Sequence, residues 1–119
     1  MKYDDIIHKL ERIKRKNELT YKVMAEKSGV GVNILRTTLK GYDVRIKHFE
    51  KIANTFGIDV NLKKTRYEVF QAINNSDLTL EEIVKESGLS DDIIGRFLSG
   101  GNTNVYNLLD LMEQFNLEF

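Results

Sequence analysis

The chain has 119 residues, 41% of them hydrophobic and 30% charged, with eighteen Lys/Arg matched by eighteen Asp/Glu. It is too apolar for a disordered chain, it has no apolar run near the ~20 residues of a membrane span, and its acid-bearing start, Met1 to Asp5, does not read as a secretory signal. The lack of Cys excludes disulfides and thiolate zinc sites and makes the reducing cytoplasm the expected compartment, while the lack of Pro favours an all-α fold.

Ile6, Ile7, Leu10 and Ile13 lie at helical spacing and predict a first helix over about residues 3–16. Thr20 stands where an N-cap belongs. Val23, Met24 and Ala25 then face inward on a short second helix that stops at Gly29, a residue free to take a left-handed turn. A third helix, about 31–40, buries Ile34, Leu35 and Thr38 or Leu39 and ends at Gly41. A fourth, about 45–56, carries Ile46, Phe49, Ile52, Ala53 and Phe56 and stops at Gly57. In the second half, Thr65-x-x-Glu68 reads as a capping box opening a helix with Val69, Phe70 and Ile73 inward. Thr79-x-x-Glu82 is a second capping box, on a helix ending at Gly88. Ser90 caps a helix with Ile93, Ile94 and Phe97, and Asn104 opens a last one with Val105, Leu108, Leu111, Met112 and Phe115.

The chain repeats itself. Residues 19–60 align without a gap on 78–119, and eight of the 42 pairs are identical, among them Ser28/Ser87, Gly29/Gly88 and Gly41/Gly100. Apolar residues recur at matching places, as in Met24/Ile83, Ile46/Val105 and Ile52/Leu111. A fixed period marks two copies of one supersecondary unit, here residues 1–62 and 63–119. The charge splits at the same boundary. The first copy has thirteen basic and eight acidic side chains, the second five and ten, so the copies carry +5 and −5. The basic copy can approach a polyanion; the acidic copy is repelled by one.

The span from Thr20 to Gly41, a short helix, a glycine turn and a second helix, reads as a helix-turn-helix. Its stretch Leu19-Thr20-Tyr21-Lys22-Val23-Met24-Ala25-Glu26-Lys27-Ser28-Gly29-Val30, followed by Gly31 to Gly41, resembles the lambda-repressor-like (Cro/C1, XRE-type) family, with the Ala-x-x-x-Gly-Val core and the closing Gly of that pattern. Gly31, Tyr21 and Leu39 depart from the residues the family often has at those positions. The resemblance covers about residues 3–60, with a degenerate copy over 63–119. It implies two tandem domains of four to five short helices, the first binding operator DNA with its third helix in the major groove.

The resemblance places Val32, Asn33, Arg36 and Thr37 against base edges. Asn33 suits adenine, Arg36 the guanine O6/N7 pair and Val32 a thymine methyl. Tyr21, Lys22, Lys40, Tyr42, Arg45 and Lys47 flank that helix and would meet phosphates. The equivalent outward positions of the second copy include Asp91, Asp92 and Arg96, unsuited to DNA, so this copy is expected to dimerise or bind a protein. Leu117 and Phe119 are candidates for an apolar part of that interface. Asp4 and His8, at i and i+4, read as a surface pair rather than metal ligands. No nucleophile, acid–base pair or phosphate loop stands out, so no enzyme, cofactor or small-molecule substrate is expected.

The expected function is transcriptional regulation: a cytoplasmic repressor occupying an operator, with double-stranded DNA and a second copy of the chain as partners. As a homodimer it would read a rough palindrome. Alternatively the two copies pack within one chain as a pseudo-dimer. A rival reading is a protein-binding module. Small two-copy helix-turn-helix chains resemble phage-borne regulators, antitoxins and inhibitors of host defence, and the acidic half would then engage a host defence nuclease, polymerase or toxin.

Overall fold

The computed structural model describes residues 1–119 as eight α-helices and no strand. They are α1 (Tyr3–Lys16), α2 (Tyr21–Ser28), α3 (Val32–Leu39), α4 (Ile46–Thr55), α5 (Leu62–Asn75), α6 (Leu80–Ser87), α7 (Asp91–Leu98) and α8 (Val105–Gln114). Each helix of the second set begins and ends 59 residues after its counterpart. The repeat therefore extends through α1 and α5, where the sequences share no residue. The molecule is elongated, 49 × 22 × 20 Å.

Local chemistry sets the helix ends. The Thr20 hydroxyl accepts the Val23 N–H at 3.1 Å, and the Ser90 hydroxyl accepts that of Ile93 at 3.2 Å. Thr79 and Glu82 form a complete capping box. At Gly29 and Gly88 the backbone takes φ of 69° and 72°, so each short helix turns sharply into the next. Three second-copy or helix-face expectations fail. α5 opens at Leu62, capped by Asn61, so Thr65 lies inside the helix and bonds back to the Asn61 carbonyl at 3.0 Å instead of forming a capping box. Phe70 is 47% exposed rather than inward, because the buried stripe of α5 runs through Leu62, Thr65 and Val69. Val23 is 37% exposed, while Met24 and Ala25 carry the core contact of α2.

α3 packs on α1, α2 and α4 in the first copy; α7 packs on α5 and α6 in the second, and α8 on α6. The copies also pack on each other, through α4 against α5 and α8, and the buried apolar side chains form one continuous cluster. No loose linker stands at the sequence boundary. Val60 and Leu62 are buried, Asn54 bonds both the N–H and the carbonyl of Val60, and the Glu50 carboxylate accepts the Leu62 N–H at 2.7 Å.

Reciprocal hydrogen bonds reveal how the copies meet. Arg45 and Asn104, equivalent by the 59-residue offset, face each other in an antiparallel bridge. Ile46 donates to the Thr103 carbonyl at 2.8 Å, and its counterpart Val105 donates to the Val44 carbonyl at 2.7 Å. Tyr106 donates its backbone N–H to Asp43 Oδ1 at 3.0 Å, and its counterpart Lys47 donates to Asn102 Oδ1 at 3.4 Å. These pairs obey a local twofold rotation. Neither Arg45 nor Asn104 caps its own helix with a side chain. The first N–H groups of α4 and α8 are satisfied by the other copy instead. Asp43→Ala should therefore destabilise the fold by about 1–2 kcal/mol, because a charged acceptor sits at a helix N-terminus. Asn102→Ala, which loses a longer and neutral bond, should cost less than Asp43→Ala. Urea unfolding of the two variants checks the order.

Aromatic rings surround the same axis. Phe49 packs at a tilt, with ring centres 5.3 Å apart, on both Tyr3 and Phe119, and Tyr3 meets Tyr106 edge-on at 6.5 Å. The Tyr3 hydroxyl is buried without a partner. Burial pushes its ionisation well above the ordinary tyrosine range, helped by Tyr106, Asp43 and Asp4. Because the folded-state value is raised, ionisation costs no stability below about pH 10, and stability falls as pH climbs above it. Tyr3→Phe should raise stability at neutral pH by about 1 kcal/mol, since a dry unpaired hydroxyl is removed. It should also soften alkaline unfolding; denaturation midpoints at pH 7 and in alkali check both.

Candidate nucleic-acid interface

α3 is eight residues long and divides cleanly into two faces. Leu35, Thr38 and Leu39 are buried on one. Val32, Asn33 and Arg36 are exposed on the other, with Thr37 half-buried at its margin. The i, i+4 spacing of 32 with 36 and 33 with 37 aligns these four side chains. All four base-reading candidates thus occur on one continuous surface, and Arg36 is free of the interior.

Arg36 is held from two sides. Its Nη1 donates to Asn33 Oδ1 at 3.2 Å, and its guanidinium lies 5.5 Å from the centre of the Tyr21 ring. Lys14 Nζ sits 4.6 Å from the centre of the same ring. Tyr21 is half-buried, and its ring serves as a platform for Arg36. Sequence reasoning missed Lys14. It lies on α1, and only the fold brings it beside α3; its ring contact was not visible in any local pattern.

The phosphate candidates surround this surface. Lys22, Lys40, Tyr42, Arg45 and Lys47 are all exposed, Tyr42 by 62%. None of these cations is in an ion pair: the chain has only two, Lys64 with Glu68 and the Met1 amino group with Glu118. Their charge is not neutralised within the protein, as attraction to a polyanion requires. Gly31 at the N-cap of α3 provides no side-chain bond, so the opening N–H groups of α3 are left without such a cap. A groove of about 370 Å³ runs from Asn33 and Thr37 past Asp43, Arg45 and His48 to Asn104, a residue of the other copy. The Asn33/Thr37 edge of α3 therefore lies beside the segment where the copies meet.

On α7 the equivalent positions differ in chemistry. Asp91, Asp92, Gly95 and Arg96 are exposed. The two acids occupy the first turn, where they favour the positive end of the helix, and Asp91 accepts the Asp92 N–H at 2.9 Å. The Arg96 side chain packs close to Gly101, where an added Cβ would approach its Cγ to 2.5 Å. Leu117 and Phe119 do not form a free apolar patch. Both are partly buried on the chain's own core, and Phe119 covers Phe49 of the first copy while its ends bond Met1. The large apolar groups that the second copy does expose include Tyr67, Phe70 and Leu80. Compared with protein-family models, curated proteins and solved structures, the chain matches none.

Proposed function

We propose that the chain is a sequence-specific duplex-DNA-binding regulator that represses transcription by occupying an operator in the cytoplasm. In this reading it is a lambda-repressor-like helix-turn-helix protein whose second unit is a degenerate copy. α3 lies in the major groove, with Arg36 on guanine, Asn33 on adenine, and Val32 and Thr37 completing the base contacts. Lys22, Lys40, Tyr42, Arg45 and Lys47 meet the flanking phosphates and set the register. The reaction it performs is binding, with no chemical step.

The observation that carries this reading is the state of Arg36. An exposed guanidinium is fixed over Tyr21 and beside Asn33, on a helix ringed by cations with no ion-pair partner. Such positioning lowers the ordering cost of binding. The test is selection from a random duplex pool, followed by affinity measurements over a range of salt. An enriched sequence is expected, with affinity falling steeply as salt rises, because each phosphate contact releases counterions. Salt-independent binding, or no enriched sequence, would count against it. The exposed Asp91/Asp92 pair favours one rival, a basic protein surface as partner of the second copy. Capture of such a protein by the intact chain, together with failure to select DNA, would favour that rival.

A further inference from the structure

We infer that the DNA read by this chain is a site without dyad symmetry, engaged by a single copy of the chain. The inference rests on the DNA-binding reading above and specifies its substrate. A homodimeric reader places two identical helices on a palindrome. Here the pairing is already completed within one chain. The reciprocal bonds of Ile46 and Val105, and of Lys47 and Tyr106, use the segments 43–47 and 102–106 on each other. Phe119 covers Phe49, and Tyr106 covers Tyr3. These segments are therefore not free to pair in the same way with a second copy of the chain.

The twofold relation then fixes what stands opposite α3. Asn33 and Thr37 share a groove with Asn104, the counterpart of Arg45. By the same rotation, the Asp92/Arg96 edge of the α7 face lies on the other side of the axis. That face holds Asp91 for Val32, Asp92 for Asn33, Gly95 for Arg36 and Arg96 for Thr37. A palindrome would present the same bases to both faces. The α7 face has lost the guanine reader to Gly95 and has two carboxylates aimed where phosphates crowd. Sequence information is therefore confined to one side of the axis, about half a helical turn or ~5 bp. The other side can add only a nonspecific contact through Arg96.

The intact chain is tested by selection from a random duplex pool, with the stoichiometry of the selected complex measured by sedimentation. A motif without dyad symmetry in a one-to-one complex is expected. A palindromic motif holding two chains would overturn this inference while leaving the DNA-binding reading intact. No enriched motif would overturn both. A second measurement uses a chain with Asp91→Val, Asp92→Asn, Gly95→Arg and Arg96→Thr combined, which gives α7 the reading set of α3. Position 95 has room, since a Cβ there meets nothing within 4 Å. The altered chain should select a dyad-symmetric motif and bind it about 5- to 150-fold tighter than the unaltered chain does, as a second bidentate contact predicts. An unchanged, one-sided motif from the altered chain would overturn the inference.

Discussion

Arg36→Ala should weaken binding to the selected DNA by about 5- to 150-fold, the equivalent of about 1–3 kcal/mol for one bidentate guanine contact. The loss should fall on one position of the motif, which becomes tolerant of other bases. Lys47→Ala should behave differently. It removes a phosphate contact, so binding weakens about equally on all sequences and the salt dependence falls by about one counterion. The contrast follows from geometry. Arg36 is braced by Asn33 and Tyr21, whereas Lys47 is an exposed point charge without an ion-pair partner. Fluorescence anisotropy on the selected duplex and on single-base variants separates the two patterns. Unchanged affinity and specificity in Arg36→Ala would remove α3 from the reading role.

The surface of α3 was legible in the sequence because it depends on periodicity within eight residues. Once Leu35, Thr38 and Leu39 are assigned to the core, Val32, Asn33 and Arg36 must face away. The repeat was legible from residue 19 onward because Gly29/Gly88 and Gly41/Gly100 have conformational roles that few residues can fill. Before that point it was invisible. Ile6 is matched by Thr65, Ile7 by Arg66 and Ile13 by Ala72. Thr65 stays buried because its hydroxyl bonds the Asn61 carbonyl, and Arg66 is tolerated because its Nε donates to the Phe97 carbonyl at 2.9 Å. A Thr hydroxyl can cap a helix or bond back within one, so local sequence does not decide between these roles. The packing of the copies on each other stood only as an alternative in the sequence, and the bonds that make it were illegible for another reason. Asp43 and Asn102 look like ordinary loop residues, and the N–H groups they accept lie 63 and 55 positions away. The pseudo-dimer alternative therefore carried no sign of which residues join the copies, nor that each copy caps a helix of the other.

Phe49→Ala should destabilise the whole chain by about 3–5 kcal/mol, a large part of the roughly 5–15 kcal/mol that holds a typical domain folded. Phe49 has no exposed surface, and its ring touches Tyr3 from its own copy and Phe119 from the other. The cavity left by truncation would open between the two copies, which the Phe49 ring joins. Both halves should therefore register the loss together. Urea unfolding followed by far-ultraviolet circular dichroism should show one transition moved to lower denaturant, with its slope preserved. Two separated transitions, with only one moved, would mean that the copies fold independently. The same reasoning applies to a chain divided after residue 62. Its first half would expose Phe49 and lose the Asn102 cap, and its second would lose the Asp43 acceptor at α8. Each piece alone should be largely unfolded, and mixing them should restore the helical signal, because the groups that complete each copy are carried by the other.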